Sequence, residues 1–206
     1  MSDCGCEIEN AGAGERRLLV VLLGINAIMF GVELAAGIGA DSAGLLADSL
    51  DMLADATVYG IALAAVGRAA SAKARAALFS GYFQVGLAVW VGAEVLRRFL
   101  GGSEPQSTWM IAVGALALAA NVACLAMLAK HRNGEIHLRA SFICSSNDVL
   151  ANLGVILGGL LVGATGSPFP DVVIGAAVVA LVLRGALRIV RDASRERALS
   201  PDESAA

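Results

Sequence analysis

Four residues on two apolar stretches of the chain have the types and the spacing of a metal site. Asp51 and Asp55 are four positions apart in one stretch, and Cys144 and Asp148 have the same separation in another. On an α-helix, residues four apart share one face, about 6 Å apart along the axis. Two such pairs facing each other would place four ligands around one point. Three carboxylates and a thiolate suit a tetrahedral Zn²⁺ ion, and the thiolate also favours softer ions such as Cd²⁺.

The two pairs differ in how strongly each indicates a site. An acidic side chain inside a bilayer costs roughly 2.5 to 3.5 kcal/mol on insertion scales, so the Asp51–Asp55 pair is poorly explained by packing alone. Cys144 taken alone is better explained as a small apolar filler of a membrane helix. The matched spacing on two stretches is what favours one shared metal site.

Four further residues are assigned accessory metal or proton roles. Asp48 lies one turn before Asp51, where it would serve as a waiting ligand or a proton acceptor. Cys4, Cys6 and Glu7 lie in a polar N-terminal segment and would capture metal ahead of the main site, although an incidental tail explains them equally well. Other polar residues of the apolar stretches are expected to hydrogen-bond between helices: Asn26, Glu33, Glu94 and Asn121.

The elements that carry these residues are predicted to be membrane-spanning helices. Hydrophobic residues make up 57% of the chain and charged residues 16%, whereas a soluble domain has about 25% charged residues. The apolar residues form six stretches, each near the ~20 residues that cross a bilayer. The stretches cover residues 17–39, 43–66, 77–100, 108–129, 139–164 and 170–190. The expected fold is an all-α membrane protein with six transmembrane helices.

The basic residues predict the orientation of these helices. Of the 15 Lys and Arg residues, all except Arg97 and Arg98 fall on the side that both termini share. The positive-inside rule therefore places both termini in the cytoplasm. The expected domains are a cytoplasmic tail over 1–16 with a Cys-x-Cys motif, a transport domain over 17–192 and a cytoplasmic tail over 193–206.

The two motifs resemble those of the cation diffusion facilitator family of zinc transporters. In that family helix 2 carries an L-L-A-D-x-x-H-x-x-x-D run, which residues 45–55 follow, and helix 5 carries H-x-x-x-D, which residues 144–148 match. Asp51 and Cys144 stand where the family usually has His, and the second change puts the metal preference in doubt. The family's cytoplasmic C-terminal domain and His-rich loop are expected to be absent, with only His131 and His137 in the corresponding loop.

The resemblance implies a secondary transporter that exports Zn²⁺, and Cd²⁺ with it, by alternating access around a midplane site. Proton antiport follows from the ligands, because Asp and Cys lose protons when they bind metal and can regain them when it leaves. A homodimer in a bacterial inner membrane is expected, with no enzymatic activity, no permanently bound cofactor and no nucleic-acid partner. The main alternative is a non-transporting membrane metal sensor. A more remote alternative is an exporter of organic cations, against which Cys144 argues.

Overall fold

The computed structural model of the chain describes residues 4–65, 70–129 and 136–199, and within these ranges it is helical throughout apart from short turns. The helices are α1 (Cys4–Gly39), α2 (Ala43–Ala65), α3 (Ala70–Gly101), α4 (Ser107–Ala129), α5 (Ile136–Thr165) and α6 (Phe169–Leu199). Each predicted stretch falls on one of them, so the all-α prediction is confirmed. Helices α1, α3 and α6 continue past the predicted stretches as more polar turns.

Five of the described helices are long and apolar enough to cross a membrane, by length and composition. These segments are Arg16–Gly39, Leu78–Gly101, Ser107–Ala129, Asp148–Thr165 and Phe169–Arg195. Large apolar side chains on their outer faces are exposed, as expected of surfaces that meet lipid tails. Helix α2 is as long as α4 but is not among the five. It carries three carboxylates within two turns, at Asp48, Asp51 and Asp55.

Helix α2 lies at the centre of the bundle and contacts all five other helices. Its first three turns are almost entirely buried. Leu46 and Leu50 pack against valines of α3 and α6, while Leu45 packs against Met110 of α4 and Val155 of α5. Because the other helices surround α2, its acidic side chains are shielded from lipid, which is the arrangement that polar residues inside membranes require.

Glycines let α1 and α6 approach α2 closely. A Cβ atom added to Gly175 of α6 would lie 2.8 Å from the backbone carbon and oxygen of Ala43. One added to Gly37 of α1 would lie 2.8 Å from the backbone nitrogen of Leu46. Small residues at such crossings allow helix backbones to pack against each other, so these two glycines fix the position of α2.

We expect Gly175→Ala to destabilise the protein by about 1 to 3 kcal/mol, because the added methyl group would meet backbone atoms that cannot rotate away. Thermal unfolding of the detergent-purified protein measures this effect. Gly86→Ala on α3 is the matched control, since a Cβ atom there has no neighbour within 4 Å. Equal melting temperatures for the two variants would show that the α2–α6 crossing has room for a side chain.

Ion pairs around Arg98 connect α3 to the turn between α1 and α2. The buried guanidinium of Arg98 lies 2.9 Å from Glu94 on its own helix and 3.2 Å from Asp41 in the α1–α2 turn. Asp41 also accepts a hydrogen bond of 2.9 Å from the backbone nitrogen of Glu104. Glu94 was expected to bond between helices, but it contacts Arg97 and Arg98 of α3 itself. Arg98 is therefore the residue that connects α3 to the α1–α2 turn.

Candidate metal site

Three of the predicted ligands line one cavity inside the bundle. Asp51 and Asp55 reach it from α2 and Asp148 reaches it from α5, and the cavity has a volume of about 250 Å³. Gln84 of α3 and a series of α6 residues between Val178 and Ile189 complete its wall. Four helices therefore enclose a space in which carboxylates provide most of the polar groups.

The carboxyl groups of this cavity are close together. Asp148 of α5 lies within hydrogen-bonding reach of both Asp51 and Asp55 of α2. The Tyr59 hydroxyl, one turn further along α2, donates a hydrogen bond of 3.2 Å to Asp55. This tyrosine was not predicted, although its position four residues after Asp55 is the signal that could have indicated it.

The fourth predicted ligand, Cys144, lies on α5 one turn before Asp148, but its side chain is outside the described residues. The side chains of Cys4, Cys6, Glu7 and His137 are also outside them, as is His131. Among the side chains that the structure does describe, no three His, Cys, Asp or Glu residues are arranged as a metal site. The four-ligand site therefore remains a prediction.

Asp48 is not among the residues that line the cavity. Its two carboxylate oxygens accept hydrogen bonds of 3.0 and 3.1 Å from the side-chain amide of Asn152 on α5. The carboxyl group of Glu33 on α1 lies beside it. Asn152 had no predicted role, yet it lies four residues after Asp148 and could have been found by extending the same helical spacing. Asp51 and Asp55 of α2 therefore line the cavity, whereas Asp48 contacts Asn152 outside it.

Asp171 of α6 positions the beginning of α2. This fully buried carboxylate accepts hydrogen bonds from the Ser42 hydroxyl at 2.7 Å and from the backbone nitrogens of Ala43 and Gly44 at 2.6 and 2.9 Å. The Ser42 hydroxyl in turn accepts a 3.1 Å bond from the nitrogen of Leu45. A helix N-terminus has unpaired N–H groups and a partial positive charge, so a carboxylate there is stabilising. The helix that carries the acids is thereby fixed to α6.

The cavity reaches the surface of the bundle along α6. Arg188 lies in its wall and is exposed, and Ile189 follows it. These residues are on the second half of α6, at the end of the helix that also carries Arg184, Arg191 and Arg195. The wall of the cavity therefore extends from the acids of α2 and α5 to exposed residues of α6, including Arg188 near the basic end of that helix.

The fold and the cavity define a multi-pass integral membrane protein with carboxylates gathered between its central helices. The family model for the cation efflux transmembrane domain matches residues 19–196. The chain belongs to this family, which confirms the predicted membership of the cation diffusion facilitators.

Several curated proteins are similar to the chain. The metal cation efflux system protein CzcD of Cupriavidus metallidurans is 26% identical over 170 residues, which are 77% of this chain and 54% of that protein. The zinc transporter ZitB of Yersinia pseudotuberculosis is 28% identical over 111 residues, 53% of this chain and 35% of that protein. A cadmium, cobalt and zinc/H⁺–K⁺ antiporter of Bacillus velezensis is 25% identical over 119 residues, which are 57% of this chain and 38% of that protein. The chain spans about half the length of CzcD and less of the other two.

Proposed function

We propose that the chain is a secondary transporter that exports divalent transition-metal cations, Zn²⁺ and with it Cd²⁺, from the cytoplasm. The observation that carries the proposal is the meeting of Asp51, Asp55 and Asp148 in one cavity between α2 and α5. Membership of the cation efflux family supports it, as do the names of the relatives, which mention zinc and cadmium. The metal is the transported substrate, and no permanently bound cofactor or enzymatic activity is proposed.

In this proposal α2 is the sixth membrane span and Cys144 supplies the fourth ligand. Three carboxylates and a thiolate would surround the ion, and each must be deprotonated to bind it. The protons regained when the metal leaves would be carried in the opposite direction, which gives proton antiport. Cys4, Cys6 and Glu7 would capture metal at the cytoplasmic surface ahead of the cavity.

The basic end of α6 is cytoplasmic under the positive-inside rule, as are both termini. The wall of the cavity extends along α6 to Arg188 at that end, which supports entry of the metal from the cytoplasm. Release on the other side requires the helices around the cavity to close on the cytoplasmic side and to open on the opposite side, as alternating access demands. We further propose a homodimer in a bacterial plasma membrane.

The test is metal uptake into inverted vesicles that contain the chain, measured with a panel of divalent ions and an imposed pH gradient. Uptake of Zn²⁺ and Cd²⁺ that rises with an acidic vesicle interior is the expected result. Vesicles without the protein provide the background rate. Metal binding without uptake at any pH gradient would contradict transport and support the alternative of a membrane metal sensor.

Replacing Cys144 with the ligand usual in the family tests the selectivity. We expect Cys144→His to retain Zn²⁺ uptake and to lower the ratio of Cd²⁺ to Zn²⁺ uptake by about tenfold, because imidazole is a less soft ligand than thiolate. Uptake of both ions by the same vesicle preparation measures the ratio. Cys124→Ala is the comparison, since that cysteine is buried beside Tyr59 and does not line the cavity. An unchanged ratio would show that Cys144 does not bind the metal.

A further inference from the structure

The side chain of Gln84 on α3 is a buried amide in the wall of the metal cavity. It is 3% exposed and lines the same space as Asp51, Asp55 and Asp148. Within the described part of the chain, its side-chain nitrogen has no hydrogen-bond acceptor. Gln84 had no predicted role, so its presence in this wall requires an explanation.

Packing alone does not explain an amide at this position of α3. The helical spacing places Gln84 on the same face as three residues further along the helix, which are Ala88, Val91 and Val95. These three are buried and belong to the apolar core that α3 forms with α2 and α6. An apolar side chain of similar size at position 84 would continue this core. The polar group of Gln84 is therefore explained by what the cavity binds.

An unpaired donor inside the bundle is unfavourable by itself. Its N–H groups have lost the hydrogen bonds that they make to water in the unfolded chain, and replacing such a group with an apolar one of similar shape is often neutral or stabilising. Buried polar groups are normally paired for this reason. The nitrogen of Gln84 therefore indicates an acceptor that is oriented toward it when the cavity binds its ligand.

We propose that Gln84 is a positioning residue for the transported metal, and that its side-chain nitrogen donates a hydrogen bond to a carboxylate that binds the ion. This inference rests on the part of the proposed function that assigns the metal to this cavity. The nitrogen is a donor only, so it cannot bind the cation directly. A carboxylate that binds a metal through one oxygen has a second oxygen that can accept a hydrogen bond, and such partners orient the ligands of metal sites.

A contact of this kind is already present for one of the carboxylates. The Tyr59 hydroxyl of α2 donates a hydrogen bond of 3.2 Å to Asp55, and Tyr59 does not line the cavity. It therefore orients that carboxylate from outside the cavity, whereas Gln84 belongs to the part of the wall that α3 contributes. In this arrangement α3, which carries none of the predicted ligands, takes part in binding the metal.

Replacing the amide with an apolar side chain of similar length tests this role. The probe is Zn²⁺ alone, titrated calorimetrically into the purified full chain in detergent. We expect Gln84→Met to raise the Kd for Zn²⁺ by about tenfold. Without metal, its melting temperature should equal or exceed that of the wild type, because an unpaired buried donor has been removed. Gln106→Met is the matched control and should keep the wild-type Kd, since Gln106 is exposed and lies outside the cavity.

Uptake by inverted vesicles provides a second readout that remains usable if the variant is unstable in detergent. Gln84→Met is expected to raise the KM for Zn²⁺ by about tenfold and to leave maximal uptake per protein within about twofold of the wild-type value. A residue needed only for packing would behave differently. Its replacement would lower the metal-free melting temperature and leave both Kd and KM unchanged, and this result would overturn the proposal.

The two measurements separate the role of Gln84 from the transport proposal. If Gln84→Met raises the Kd as expected but the wild type takes up no metal, the transport proposal fails and the role of Gln84 stands. If the wild type takes up Zn²⁺ and Gln84→Met has the wild-type Kd and KM, the role of Gln84 is overturned and transport stands. A wild type that binds no Zn²⁺ would overturn both.

Discussion

Asp55→Asn and Asp148→Asn are each expected to lower Zn²⁺ uptake on the order of a hundredfold or more, while the protein remains in the membrane. Both residues line the cavity, and their carboxyl groups lie within hydrogen-bonding reach of each other. An amide has the same shape as a carboxyl group but no negative charge, so it binds a divalent cation far more weakly. The substitution also removes a group that could exchange a proton for the metal.

Uptake by inverted vesicles, normalised to the amount of protein in the membrane, measures the effect of both substitutions. Asp192→Asn is the matched control, because Asp192 lies on the exposed end of α6, outside the cavity. It should transport at the wild-type rate. If Asp55→Asn did so too, the cavity between α2 and α5 would not be the transport site.

Asp171→Ala is expected to destabilise the protein by about 3 kcal/mol or more, which corresponds to a fall of about 6 to 12 °C in melting temperature. The carboxylate accepts three hydrogen bonds at the N-terminus of α2, from the Ser42 hydroxyl and two backbone nitrogens. Removing it leaves buried donors without an acceptor and frees α2 from α6. The loss of stability is therefore larger than that caused by removing an ordinary helix cap.

Thermal unfolding in detergent measures the effect of Asp171→Ala. Ser42→Ala is the comparison, since it leaves both backbone bonds to Asp171 in place and should cost about 1 kcal/mol. Asp171→Asn should fall between the two, because its amide oxygen can accept hydrogen bonds but carries no charge. A melting temperature for Asp171→Ala equal to that of Ser42→Ala would show that the α6 carboxylate does not hold the end of α2.

Some of the candidate site could be predicted from the sequence because it depends on spacing within one helix. The four-residue separation of Asp51 and Asp55 places both on one face of α2, whatever surrounds them. The same spacing of Cys144 and Asp148 predicted that α5 faces them, and Asp148 lines the same cavity. Cys144 follows from the same spacing on α5 and stays a prediction.

The neighbours of each acid could not be predicted in this way. Asp48 and Asp55 are nearly in line on α2 but about 10 Å apart along its axis, since each residue adds 1.5 Å. At the level of Asp55 the structure places Tyr59 and the cavity, and at the level of Asp48 it places Asn152 and Glu33. Periodicity gives the face of a helix but not which helix lies opposite each turn.

The sequence by itself determined the class of the protein, because six long apolar stretches and few charges leave a membrane bundle as the stable arrangement. It also determined the matched pairs of ligand-type residues, since helical spacing is a local property. Only the tertiary structure decided that α2 is central, that Asp171 holds its first turn, and that Asp48 joins Glu33 instead of the cavity. These contacts join residues far apart in the chain, and their formation depends on how closely glycines such as Gly175 let the helices pack.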